Sequence, residues 1–468
     1  MCGLIVNSGI PNLACAVAAV GALLSVVAPA PAAALQVETV ESESMVWSTS
    51  VKVDSASYPR IAYVDLHLND LRYAYRDGDG WHAEIVCDWA VASSAGVALD
   101  VGGASHLCCY QSVPGYYERL LYFPPTEAGW DQEVVDASHG SASLAFDGSE
   151  NPCLSYLSYG TFPDPDRDLR FAQRDATGWL TETVDSEGDV GLYTSLAFDD
   201  QGRPHISYFD NSQGDLAYAC RTALGWTCIR VDVTGTVGQH TSLALDPEGF
   251  PHVSYYDVTN SSLKYAHQDA VGWHIDIVDN NGDVGQFSSI ALDGNGLPHV
   301  SYYDATDQNL KYACKREDGW HVRTLDSEAT IGLGTSIALS TAGLAHISYG
   351  GFPESVVKYA YVDDITISGE LGMGLITLRW DAVPGAHEYW VYGAANLPWF
   401  QPGAGPAYAH RVAVLPSGAT EWSNGAGVGD PLEQWTYLLR VMRAGEAQLA
   451  ISNRIGEHDF AVENPDSP

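Results

Sequence analysis

The chain has 468 residues, with 46% hydrophobic and 11% aromatic content, enough for a packed core and for more than one domain. Its 59 acidic residues against 22 basic ones leave a formal net charge of −37, a surface that repels phosphate backbones and anionic headgroups. Nucleic acid and membranes are therefore excluded as expected partners, and no segment after the N-terminal run is long and apolar enough to span a membrane.

The first 34 residues differ from the rest. Leu13 to Val27 is an alanine-rich apolar run, too short for a spanning helix, and Ala32-Ala33-Ala34 offers a small-residue cleavage site. Residues 1–34 read as a secretory signal, which places the mature protein outside the cytoplasm, secreted or extracytoplasmic. Its removal takes Cys2 and Cys15 and leaves seven of the nine cysteines. Cys220 and Cys228 flank a hairpin turn, where they form either a cross-strand disulfide or two small buried thiols. Cys87, Cys108, Cys109, Cys153 and Cys314 show no CxxC pattern with partner histidines, so no zinc site is expected.

From residue 35 the chain repeats itself, and a repeat of this length decides the architecture. A first-strand signature recurs seven times, from TSVKVD at 49–54 to TSIALS at 335–340, with a spacing of 47 residues over the last four copies. Second strands follow as PRIAYVD, SHLCCYQ, PCLSYLS, PHISYFD, PHVSYYD twice and AHISYG. Third strands read LRYAYRD through VKYAYVD, and in six copies an aromatic residue precedes a Gly-Trp hairpin tryptophan by eight positions. The glycine supplies the positive φ that a short hairpin needs. The third copy carries an insertion, YGTFPDPDRD, at its middle turn.

Four antiparallel strands repeated seven times predict an all-β seven-bladed β-propeller over 35–364. The seventh copy stops after its third strand, while QVETVES at 36–42 matches the fourth-strand text of other copies. The mature N-terminus is therefore expected to supply the outer strand of the last blade and close the ring, which removes free sheet edges. After Asp364 the period is lost. ITLRWDAVPGAHEYWVYGA, WTYLLRVMRAG and AQLAISNRIG resemble the strands of a fibronectin type III-like domain, a small β-sandwich over 365–460 with Trp380 as its core tryptophan. Residues 461–468 form a polar tail.

Three repeated sets are candidates for ligand binding. His205, His252 and His299 open second strands, each followed by Tyr208, Tyr255 or Tyr302 and ended by Asp210, Asp257 or Asp304; His346, Tyr349, His106 and Asp65 continue the pattern. Period-2 alternation puts tyrosine and aspartate on one face and histidine on the other. These are either polar handles for a hydroxyl-rich ligand or structural hydrogen-bonding groups. Trp226, Trp273 and Trp320 are either sugar-stacking platforms or wedges between blades. The acidic loops holding Asp185 and Asp189, and Asp279 and Asp283, are either calcium ligands or plain turns.

No G-x-S-x-G elbow, H-E-x-x-H or phosphate-binding glycine loop is present, so no catalytic residue is assigned and no cofactor is expected. Asp269, Gly272 and Trp273 loosely resemble the Asp-box of sialidase-type propellers, with a different glycine–tryptophan spacing and without three converging arginines. Over residues 35–364 the chain resembles the BNR-like and fucose-lectin-like repeat propellers of secreted bacterial proteins. That resemblance implies the fold; the repeated His/Tyr/Asp sets together with the missing catalytic motifs point to a non-catalytic protein that binds carbohydrate or an extracellular protein. The alternatives are a glycoside hydrolase or polysaccharide lyase with its site at the propeller axis, and a structural or adhesive module. Blades two and three depart most from the repeat and are the expected places for a unique site.

Overall fold

The computed structural model describes residues 35–456, apart from 89–93, 114–116, 137–140, 160–166, 317, 329, 342, 354, 363–366, 373–374, 381–387, 396–409, 417–418, 420, 425–434 and 443–447. The expected signal, the polar tail and most of the blade-three insertion lie outside the described residues. What is described is β-strand and turn throughout, without a helix.

Seven four-stranded antiparallel sheets follow one another along the chain. Blades 1 to 6 span 49–87, 95–136, 142–185, 190–232, 237–279 and 284–326, each running from its inner to its outer strand. In blade 5 the strands are Val237–Leu245, Pro251–Asp257, Ser262–Gln268 and Trp273–Asp279. Second strands such as Pro251–Asp257 are buried along their whole length, as continuous apolar and aromatic runs require when both sheet faces are covered. Every innermost strand lies against the innermost strands of its two neighbours, and that of blade 7 against that of blade 1, so the ring is closed.

Blade 7 has the sheet order Leu35–Ser42, Val356–Val362, Ala345–Phe352, Thr330–Leu339, so the N-terminal strand is its outer edge. The chain then crosses the blade to begin blade 1, and the crossing explains a local change of sequence. Gly334 (φ 55°) stands where blades 4, 5 and 6 carry Tyr193, His240 and Phe287, and a Cβ there would lie 2.2 Å from the Trp47 carbonyl oxygen. Gly350, in place of Phe209, Tyr256 and Tyr303, makes room in the same way for Val46.

The hairpin glycines behave as the sequence requires: Gly80, Gly129, Gly178, Gly225, Gly272 and Gly319 all have φ between 113° and 148°. Beyond the propeller, strands Ile367–Gly372, Leu375–Trp380 and Glu421–Asn424 form one sheet. Strands His410–Pro416, Glu388–Ala395, Trp435–Met442 and Gln448–Gly456 form another.

Gly334→Ala is expected to lower stability by more than about 2 kcal/mol, because both the positive φ and the Trp47 backbone oppose a side chain. Gly343→Ala (φ 75°, nothing within 4 Å) serves as the control and costs only about 1 kcal/mol. Denaturant midpoints of the two variants check the difference.

Candidate functional site

The second-strand tyrosines face the preceding blade and are spent on holding it. Tyr255 Oη donates to Asp232, at the end of the outer strand of blade 4, at 2.8 Å, and Lys264 Nζ reaches the same carboxylate at 2.5 Å. The next seams repeat this: Tyr302 and Lys311 on Asp279 at 2.7 and 2.6 Å, Tyr349 and Lys358 on Asp326 at 2.9 and 3.0 Å. Tyr156 and Tyr208 reach Asp136 and Asp185 at 2.7 and 2.6 Å, and Tyr63 with Arg72 holds Glu41 of the closing strand. Burial alone would push the Asp232 carboxyl up, but the Lys264 and Tyr255 hydrogen bonds outweigh it and hold the group below the usual carboxylate range. Asp210, Asp257 and Asp304 are buried at the other end of the same strands. They accept backbone N–H groups of the following turn, from Gln213 (3.0 Å), Asn260 (2.9 Å) and Thr306 (3.0 Å).

The histidines lie on the opposite face, toward the following blade. Nδ1 of His252 and His299 meets Tyr265 and Tyr312 at 2.5 Å, and His205 meets Tyr218 in the same way. Those tyrosine rings receive the hairpin tryptophan of the next blade edge-on: Trp273 on Tyr218 at 5.3 Å and Trp320 on Tyr265 at 5.2 Å. Trp226 packs on Phe171 at 5.5 Å. All three tryptophans are half-buried between blades. The repeated sets are thus brought together along the seams; the tyrosine and aspartate groups are engaged inside the protein, whereas the indole N–H groups of Trp226, Trp273 and Trp320 are buried without a hydrogen-bond partner.

The acidic loops hold no group of three or more potential ligands among the described residues. Asp185 and Asp279 belong to the clasps, Asp189 pairs with Arg167 (3.4 Å) and Asn211 (2.7 Å), and Asp283 accepts the Tyr256 hydroxyl at 2.6 Å. The disulfide alternative for Cys220 and Cys228 is ruled out by register. Cys220 lies opposite Thr227, and Cys228 opposite Ala219, so the thiols project to opposite faces of the hairpin. The buried-thiol alternative fails at Cys228, which is exposed.

Blades 2 and 3 enclose a groove of about 300 Å³ lined by Asp100, His106, Tyr122, Glu133, Phe146, Glu150 and Arg174, with Val101, Pro124 and Pro152 at its margins. His106 and Tyr122 are the local form of the repeated pair, 2.5 Å apart, and His106 Nε2 lies 3.4 Å from Asp100. Burial pushes the imidazole down against the pull of Asp100, which keeps it neutral near pH 7. With Nε2–H donating to Asp100, Nδ1 accepts the Tyr122 hydroxyl. Arg174 makes a two-pronged pair with Glu133 at 2.7 and 2.8 Å, and the Glu150 carboxylate accepts the Val101 N–H from the neighbouring turn at 2.9 Å. The Phe146 ring stands edge-on to His106 at 4.9 Å. Of these residues the sequence reading singled out His106 alone. The signal for the others was the departure of blades 2 and 3 from the repeat, with Cys109 replacing the second-strand tyrosine and Cys153 the histidine.

A second irregular feature lies at the start of the inner strands. Tyr193, His240 and Phe287 hold the same bulged position in blades 4, 5 and 6, each at positive φ (52–55°), and form a continuous file of rings. His240 sits 4.5 Å from Tyr193 and 4.6 Å from Phe287. Enclosure between the two rings pushes its pKa down to about 4. The corresponding residues of blades 1, 2 and 3 are Ser48, Ser94 and Ser141, so the aromatic file covers one side of the axial mouth.

The fold and grooves place the protein among the seven-bladed β-propellers. No protein-family model matches the chain, and no curated protein matches it. Among solved structures it is similar to an ulvan lyase of a new polysaccharide lyase family bound to -[GlcA(1-4)Rha3S]- (11% identity, 69% of this chain and 95% of that one, TM-score 0.50). It is also similar to the Aleuria aurantia lectin in complex with α-methyl-L-fucoside (13%, 61% and 96%, TM-score 0.43) and to AofleA from Arthrobotrys oligospora (13%, 64% and 90%, TM-score 0.43). Identities this low establish a shared fold.

Two outcomes test the electrostatics. Lys264→Met leaves the Asp232 charge buried with only Tyr255 and its turn, and is expected to cost about 3 kcal/mol. Tyr255→Phe keeps the ion pair and costs about 1 kcal/mol, so denaturant midpoints should rank the two in that order. His240 has a folded pKa below its ordinary 6.5, so the unfolded chain takes up the proton first. Its contribution to stability is complete above about pH 6.5 and is lost as pH falls toward about 4. His240→Phe, the residue of blade 6, should remove roughly 2 kcal/mol of the acid destabilisation, measured as ΔG of unfolding at pH 7 and pH 4.

Proposed function

We propose that this is a secreted, carbohydrate-binding propeller whose ligand seats in the groove between blades 2 and 3. The observation that carries the reading is the composition of that groove. Donors and acceptors at fixed positions (His106, Tyr122, Glu133, Arg174, Glu150) surround an aromatic edge at Phe146, within a volume suited to a small ligand. Hydroxyl-rich rings need this combination of bidentate polar partners and an apolar face. Residues 1–34 act in this reading as the secretory leader, and the two C-terminal sheets as a fibronectin type III-like accessory domain.

A catalytic reading is carried by the axial mouth. There a neutral His240 imidazole stands beside the Tyr193 ring, two groups that can accept and donate a proton. It predicts release of new chain ends from a polysaccharide, abolished by His240→Phe.

On a glycan array, the wild-type protein is expected to retain a defined subset of glycans. Arg174→Ala should weaken that binding at least tenfold, while Lys315→Ala, at the seam of blades 5 and 6, should leave it unchanged. Absence of any glycan binding by the wild type would sink the proposal in favour of an adhesive or structural role.

A further inference from the structure

The groove between blades 2 and 3 opens where blade 2 narrows. In blade 4 the third and outer strands stay paired over seven positions, from Leu216 with Asp232 to Thr222 with Gly225. In blade 2 only three pairs form, from Leu120 with Asp136 to Tyr122 with Glu133. The third strand stops at Phe123, because Pro124 follows and has no N–H for the ladder. The hairpin beyond it, Pro125–Thr126 with Gly129–Trp130, is a separate two-stranded sheet. Blades 4, 5 and 6 carry Cys220, His267 and Cys314 at the position of Pro124, each paired across the sheet.

Most of the charged lining of this groove is repeated elsewhere. Asp100 with His106 has a counterpart in Asp246 with His252, and Arg174 on Glu133 has one in Lys315 on Asp276. Glu150 has none. The turn between first and second strands closes in every blade on one hydrogen bond, from the N–H of its fourth residue to the carbonyl of its first, as in Gly249 to Asp246 (2.9 Å) and Glu150 to Asp147 (3.0 Å). That fourth residue always has positive φ, and it is glycine in five blades and Ser57 in blade 1. In blade 3 it is Glu150 at 62°, a long charged side chain in a conformation that favours glycine. One of its oxygens accepts the Val101 N–H of the corresponding turn in blade 2 at 2.9 Å. The residue is exposed, and its other oxygen takes no hydrogen bond from the described residues.

Charge decides what such a groove takes. Its lining sets three carboxylates, Asp100, Glu133 and Glu150, against one guanidinium and a neutral imidazole, a formal net of two negative charges. Arg174 is committed to Glu133 by two hydrogen bonds, and Trp179 donates to the same carboxylate at 3.0 Å. The charges left without a cation are Asp100 and Glu150. A uronate or a sulfated sugar would add to this negative charge, and a neutral sugar would leave it uncompensated. A protonated amine on a sugar ring brings the counter-charge and three N–H donors to groups that only accept. The field of a chain of net charge −37 also draws cations toward it and repels anions.

We propose that the groove of blades 2 and 3 selects a cationic amino sugar, its ammonium held by Glu150 and Asp100 and its ring against Phe146. This names the ligand class of the carbohydrate site proposed above and rests on that reading.

The test is isothermal titration of the full chain with a glucosamine tetrasaccharide and with its N-acetylated counterpart, which keeps the rings and removes the charge, at a pH below the amine pKa. The free-amine oligomer should bind at least tenfold more tightly, and raising salt from about 50 to about 500 mM should erase most of that preference. Glu150→Gln keeps an acceptor for the Val101 N–H and removes only the charge, so it should bring the two affinities to within about twofold of each other. Glu187→Gln, which removes an exposed carboxylate outside the groove, should leave the preference as it is. Equal affinities in the wild type overturn the amino-sugar ligand and leave the carbohydrate reading standing. A preference that survives Glu150→Gln belongs to the acidic surface at large and overturns the site. Displacement of the tetrasaccharide by a simple alkylamine at matched concentration overturns the sugar and leaves a general ammonium site. Loss of both oligomers while other glycans still bind on an array overturns the ligand class alone, whereas absence of every glycan removes the carbohydrate reading and this proposal with it.

Discussion

Six of the seven blades are held to the one before them by a carboxylate that neither blade satisfies alone; blade 2, with Cys109 facing Cys87, is the exception. The carboxylate ends the outer strand of one blade, and the tyrosine that holds it comes from the second strand of the next, joined in most seams by a third-strand cation, as with Asp232, Tyr255 and Lys264. A buried charge without its partners is far more costly than the pair is favourable, so the clasp works mainly by penalising a misplaced blade. At the ring closure the same role falls to Glu41 on the N-terminal strand, held by Tyr63 and Arg72 of blade 1. Closure is thereby specified by chemistry as well as by strand pairing.

The opposite faces of the same strands do complementary work. Histidine orients the third-strand tyrosine, and that ring receives the next hairpin tryptophan edge-on, as His205, Tyr218 and Trp273 show. Apolar area supplies the bulk of the seam and the hydrogen bond fixes the ring where the tryptophan needs it. A set repeated in most blades is accounted for by the architecture it builds, and function has to be sought where the repeat is broken. The breaks are few. They are the seam of blades 1 and 2 with Cys87 and Cys109, the groove of blades 2 and 3, and the aromatic file across blades 4 to 6.

These breaks share a physical logic. Seven-fold repetition gives the seams nearly the same groups, buried histidines among them, so a side chain outside those sets appears only where one blade differs from its neighbours. Glu150, where five blades carry glycine, and His240 between Tyr193 and Phe287 are both of this kind. Gly334 and Gly350 are differences of another kind, since they yield space to the N-terminal segment at Trp47 and Val46 and belong to closure.

The sequence by itself determined the number of blades, the four strands of each, the hairpin glycines, and the donation of residues 35–42 to the last blade. Those features depend on local turn chemistry and on a repeat that any one copy makes visible in the others. It also placed His205 and Tyr208 on opposite faces, which follows from strand periodicity. Which face meets which neighbour was decided only by the tertiary structure. That choice turned Tyr255 and Asp257 from exposed handles into buried seam groups, and separated Cys220 from Cys228. The groove around Arg174 was likewise invisible in the text, because burial and pairing are properties of two blades in contact, and strand patterns report only one.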